Sequence, residues 1–159
     1  MTEQKGLTDD ELDAYRSFMT MHHILGRHLA RHLKQEFGLS DSDFEILVNL
    51  SESPHRRMRA VELTRVTQWD KTRLSHHLSR MEKRGLIRRE AGEARYPDIL
   101  LTDAGWDAIV ASAPANAARV RELFIDVLGP QRLAAIHEAA KDVIAAIDEH
   151  MTDCSPETS

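Results

Sequence analysis

Between Lys71 and Gly85 the chain reads KTRLSHHLSRMEKRG, in which Thr72, Arg73, Ser75, His76 and Ser79 interleave with the apolar Leu74, Leu78 and Met81. At helical spacing the apolar residues share one side and the hydroxyl, imidazole and guanidinium groups the other. Those polar groups suit base edges: arginine grips guanine bidentately, while serine, threonine and neutral histidine donate to or accept from other edges. Lys71, Arg80 and Lys83 are the cations placed for backbone phosphates. His77 lies beside the Leu74–Leu78 stripe and is expected to pack rather than read bases. The chemistry predicted is recognition of duplex DNA, by a helix about 10–12 Å across in a major groove about 12 Å wide.

The charge distribution agrees. From His55 to Arg95 there are twelve Lys and Arg against five acids, a surplus of seven, while the whole chain carries a net −5. A basic centre in an acidic frame predicts a local polyanion surface, with the cations between His55 and Arg95 gathered on one continuous face. A solvated, salt-bridged surface is the alternative source of such a charge run.

Other chemistries find less support. Nine histidines invite a metal-sensing reading, and His28 and His32 stand four residues apart, near Glu36. Zinc needs about four ligands, and nothing closes that sphere, so no metal ligand and no cofactor is assigned. The single cysteine, Cys154, lies in a polar tail, which excludes an intrachain disulfide. There is no Gly-rich phosphate loop, nucleophile elbow or H-E-x-x-H, so an enzyme is not expected. His22 falls on an apolar stripe with Phe18 and Met19, a set that suits a small aromatic or anionic effector; simple packing is the alternative. No apolar run is long enough to span a membrane and the N-terminus lacks a signal pattern, so a cytoplasmic location is expected.

The elements that must position these residues are mostly helices. Thr8 and Glu11 form a capping box, Leu7 and Leu12 a staple, and the stripe Leu12, Tyr15, Phe18, His22, Leu25, Leu29, Leu33 continues to Phe37 and a Gly38 stop. Ser40 caps a second helix, with Phe44, Leu47 and Val48 inward, that Pro54 ends. After a polar turn, a third forms around Val61, Leu63 and Val66. Asp70 caps the DNA-reading helix and Gly85 ends it. LIRRE and DILL read as a two-stranded hairpin with a protruding basic loop. Thr102 caps a further helix that Pro114 should kink or split. Gly129-Pro130 opens the last one, and a disordered tail follows from residue 152. The apolar stripes at both ends exceed what the middle can cover, which predicts pairing with a second copy. The fold class is mainly α, a winged helix-turn-helix at 40–102 flanked by dimerisation helices at 8–37 and 103–150, all in one domain.

The segments ELTRVT, DKTRLSHHLSRMEKRGLIRR and LLTDAG, in this order and spacing, resemble the winged-helix region of the multiple-antibiotic-resistance-regulator (MarR) family. The flanking helices extend the likeness to about residues 8–150. The resemblance implies a homodimeric transcriptional regulator on a pseudo-palindromic operator, often released by a small-molecule effector, and a repressor is the expected mode. It makes Arg95 the wing arginine that enters the minor groove. Where the family's wing carries Asp-x-Arg, this chain has Glu93-Ala94-Arg95. A metal-responsive regulator of the same fold and a winged-helix protein-interaction module are the alternatives.

Overall fold

The structure, a computed structural model, describes residues 6–91 and 97–153. It divides into two compact units, one ending at Ala117 and one beginning at Ala118.

In the first unit α1 (Asp9–Phe37) starts at the Thr8–Glu11 capping box and ends on Gly38, whose φ of 66° turns the chain so that Leu39 N–H reaches the Leu33 carbonyl. A residue with a Cβ is strained in this left-handed conformation, which is why glycine stands there. Leu7 is exposed, so the expected staple is not closed. Helix α2 (Asp41–Glu52) is capped by Ser40. Its buried side is Asp43, Ile46, Leu47 and Leu50, and Phe44 and Val48 only pack partly against the core. Helix α3 (Ala60–Thr67) buries Leu63 and Thr67, whereas Val61 and Val66, expected inside, are 43% and 47% exposed. Helix α4 (Lys71–Lys83) inserts Leu74, His77, Leu78 and Met81. These side chains, with Ile87 and Ile99, make one continuous core.

The wing carries one strand more than its sequence suggested. Strands β2 (Ile87–Glu90) and β3 (Asp98–Leu101) pair antiparallel as expected, and β1 (Arg57–Arg59) adds to the other edge of β3. Its three residues run from the polar turn into what reads as the start of the third helix, too short for a period-two pattern to show,. The register sets Glu90 opposite Asp98. Arg57 offsets that like-charge pair, with Nη2 2.6 Å from Asp98 and 3.7 Å from Glu90.

Helix α5 (Asp103–Val120) begins at Thr102, which is tied on both sides to the end of α4. Its N–H donates to the Leu86 carbonyl, its Oγ1 donates to the Gly85 carbonyl, and Oγ1 accepts from Gly105 N–H. A Cβ on Gly105 would collide with the Leu86 carbonyl oxygen, so only glycine lets the two segments meet. Pro114 does not split α5, which runs unbroken from Asp103 to Val120. Its ring displaces the bond to Val110, on the exposed side of the helix, where water can satisfy the freed carbonyl,.

The second unit continues from α5 through a wider π-helical turn, Arg121–Ile125, into α6 (Asp126–Asp153). Gly129, at φ 70° and ψ 170°, breaks the helical path just before Pro130, as the sequence predicts. Val127, Val143, Ile144, Ile147 and Met151 are all exposed on it. Thr152 and Asp153 complete α6; the remainder of the expected tail, 154–159, lies outside the described residues. Among the described residues no helix is long and apolar enough to cross a membrane.

Candidate nucleic-acid interface

Helices α3 and α4 meet through the turn Gln68-Trp69-Asp70. Gln68 adopts φ 57°, a conformation that reverses the chain, and Asp70 then caps α4 by accepting from Arg73 N–H at 2.8 Å. A carboxylate at the positive end of the helix dipole adds to that start. With Leu74, His77, Leu78 and Met81 pinned inward, the outward strip is fixed by helical spacing. It runs through Thr72, His76 and Lys83, all exposed,. Arg73 and Arg80 stand exposed along one flank of this strip, Lys71 and Ser75 along the other.

The two flanks are built differently. On the first, the Arg73 guanidinium lies 3.9 Å over the Trp69 ring, and Trp69 meets the buried His77 ring edge-on at 5.5 Å. Arg80 Nη2 is 2.9 Å from His77 Nδ1. His77 Nε2 lies 3.0 Å from Asp43 Oδ1, and Arg84 Nη1 donates to Asp43 Oδ2 at 2.6 Å. Burial alone would raise the Asp43 carboxyl, but Arg84 and the hydrogen bonds from Ser40 outweigh it and hold Asp43 below its ordinary value. His77 is pushed down, first by burial and then by the nearby cations Arg80 and Arg73, against the pull of Asp43. The packing expected of His77 is observed. Asp43, read from sequence only as a first-turn charge, is its buried partner. Their separation of more than thirty residues hid the pairing.

On the second flank, Arg89 of β2 is held by Glu82 at 2.8 Å and donates to the Ser75 carbonyl and the Ser79 hydroxyl. Ser79 is half-buried and donates to the Ser75 carbonyl at 3.0 Å, so its hydroxyl is already engaged inside the lobe. A cavity of about 340 Å³ opens between α3, α4 and β3, with Thr64, Leu74, Leu78 and Ile99 in its wall and Lys71 and Arg89 at its edge.

Several cations of residues 55–95 are engaged within the lobe. Arg57, Arg84, Arg88 and Arg89 are each bonded to a carboxylate of the same lobe, and Arg56 stacks 3.5 Å over Trp106. These five of the twelve cations knit the lobe together, which is the salt-bridged alternative read from the sequence. Glu93 and Arg95 lie outside the described residues. On α1, Phe18 and His22 stack at 6.4 Å but both are exposed, with Met19 half-buried beside them. His32 Nδ1 lies 3.6 Å from Glu36; no group of three or more metal-binding side chains gathers among the described residues.

The arrangement has counterparts among known proteins. The profile of the MarR family matches residues 37–95, the span that holds α2, α3, α4 and β2. AbsC, a MarR family transcriptional regulator from Streptomyces coelicolor, is 39% identical, with 92% of this chain and 99% of that one covered and a TM-score of 0.88. Sco3205, a MarR family transcriptional regulator from the same organism solved in complex with DNA, is 32% identical, with 92% of each chain covered and a TM-score of 0.87. A mutant MarR from E. coli complexed with operator DNA shares the fold at 19% identity and a TM-score of 0.75. No curated protein gives a significant match. Identity at this level across nearly the full length of solved members leaves one conclusion: the chain belongs to the MarR family of transcriptional regulators, which are not enzymes.

Proposed function

We propose that the protein is a homodimeric, sequence-specific double-stranded DNA-binding repressor of the cytoplasm, acting on a pseudo-palindromic operator. The observation that carries this reading is the outward strip of α4, with its two ordered guanidinium groups alongside, in a chain whose 32%-identical relative Sco3205 was solved with DNA. Thr72, Arg73, Ser75 and His76 are the base-reading side chains. Ser79 contributes only by giving up its bond to Ser75. Lys71, Arg80 and Lys83 meet phosphates, and Arg95 of the wing enters the minor groove. Two such lobes place two α4 helices in successive major grooves, about 34 Å apart. The exposed apolar residues of α1 and α6 supply the surface that joins the copies. In this arrangement residues 8–37 and 103–150 serve dimerisation and 40–102 form the DNA-binding lobe.

The experiment is a pair of binding curves, with Arg73→Ala measured on a selected duplex and on a scrambled one. The expected loss is about 1–3 kcal/mol on the selected duplex and much less on the scrambled one. Equal losses on both would remove the base-reading role.

Release by a small aromatic or anionic effector is the regulatory half of the reading. Phe18, Met19 and His22 sit on an open surface of α1, so an effector site there needs a second wall. The cavity under α4 is already walled, with cations at its rim. An effector titration that still releases DNA from His22→Ala protein would dismiss the α1 site.

A further inference from the structure

Arg80 is exposed on α4, yet its guanidinium is not loose: Nη2 lies 2.9 Å from Nδ1 of His77, almost one turn back. A guanidinium can only donate. Nδ1 must therefore offer a lone pair, and the proton of the neutral ring sits on Nε2. Nε2 faces Asp43 Oδ1 at 3.0 Å, a short but oblique contact that falls outside hydrogen-bond alignment. Asp43 cannot turn away, because Arg84 donates to it at 2.6 Å and the Ser40 N–H at 2.9 Å. Trp69 blocks another side of the ring, with its face under Arg73. His77 is thus a fixed acceptor beneath an exposed helix flank, and Arg80 takes its position from it.

We propose that His77 is the positioning residue for Arg80, holding the guanidinium beside the strip Thr72–His76–Lys83 so that a DNA phosphate meets a cation already in place. This rests on the DNA-binding reading above. An arginine ordered in advance loses less rotamer freedom on contact, and a bond to a ring buried in the core defines where the charge sits. The neutral ring is essential. A proton on Nδ1 removes the acceptor and sets two cations in contact, so Arg80 leaves. The groups that bear on that proton face His77 from three elements. Asp43 on α2 attracts it. Arg80 and Arg73 on α4 repel it, and burial against Trp69, in the turn before α4, opposes it too. Arg84, bonded to Asp43, weakens the attraction, and Glu45 stands behind Trp69 close to Arg73.

The test uses the full-length protein, a duplex selected from a random pool and a scrambled duplex of equal length. Affinities are measured at constant ionic strength from about pH 8 to about pH 5, the window in which imidazoles titrate. Wild-type affinity is expected to fall on the order of tenfold across that range. Comparison with Arg80→Ala separates this effect from any other charge that changes over the range. His77→Asn places an amide oxygen where Nδ1 stood and cannot titrate. It is expected to match wild type at the alkaline end and to lose the acid step. Arg80→Ala is expected to bind more weakly at the alkaline end and to show no step. A wild-type affinity that stays level or rises on acidification overturns the proposal, as does a step that survives in Arg80→Ala. Nitrogen-15 spectra of the His77 ring in DNA-free wild-type protein give a readout that needs no variant to fold. An unprotonated Nδ1 is expected, and a protonated one overturns the positioning role even where DNA binds. Protein that binds no duplex at any pH, with Nδ1 unprotonated, defeats the DNA reading and this proposal with it.

Discussion

Leu47, Leu50 and Met81 in the lobe are fully covered, whereas Val143, Ile144 and Ile147 on α6 are 59%, 58% and 50% exposed. Both sets are apolar side chains, each on the apolar stripe of its own helix. The difference teaches what an apolar stripe says. It states that a face must be covered and is silent on what covers it. In the lobe the cover comes from neighbouring helices and the wing. On α6 a single chain leaves the stripe to water, at a cost of about 25 cal/mol for each Å² of apolar surface that a second copy could remove.

That contrast can be broken experimentally. Leu50→Ala removes side-chain volume from a site with no exposed surface, so it should lower unfolding free energy by about 3 kcal/mol in denaturant titrations. A loss below about 1 kcal/mol would mean that the lobe is loosely packed. A smaller effect belongs to the buried polar cluster at the lobe's edge. The folded state holds the His77 proton more weakly than the unfolded chain does, so stability falls as pH drops below the ordinary imidazole value of 6.5,. Asp43, also lowered, adds a second fall as pH passes below 3.8 toward its folded-state value,. Glu45 is raised, chiefly by burial, and works in the opposite direction around 4.5. Urea unfolding across this range should show the first fall in wild type and lose it in His77→Asn. The smallest effect is expected on α6. Ile144→Ala with Ile147→Ala should change unfolding by less than about 0.5 kcal/mol in dilute protein. At higher concentration the same pair should lower the thermal midpoint, because association stabilises by mass action. A midpoint independent of concentration in wild type would remove the dimer from the reading.

The lobe's helices were legible where local chemistry decides. Thr8 with Glu11, Ser40, Asp70, Gly38, Gly85 and Thr102 marked their boundaries because a cap is settled within four residues of sequence,. His77 was legible as a packed residue because its neighbours Leu74 and Leu78 fix the inward face. What stayed hidden depends on distant pairings. Asp43 gave no sign of its contacts with His77 and Arg84, nor Arg89 of its hold on Glu82 and Ser79, since each bond joins separate elements. Strand β1 escaped for the same reason: only its ladder with β3 makes Arg57–Arg59 a strand. The charge count found the basic segment but not which of its cations are engaged, because a sum over residues cannot distinguish a cation facing solvent from one closing an internal ion pair.

The junction at Thr102 and Gly105 has a mechanical meaning. Two hydrogen bonds from Thr102, to the Leu86 and Gly85 carbonyls, together with a backbone approach too close for any side chain at Gly105, join the turn after α4 to the first turn of α5. A tilt imposed on the start of α5 would therefore pull on the end of α4, much as a key turns with its bow.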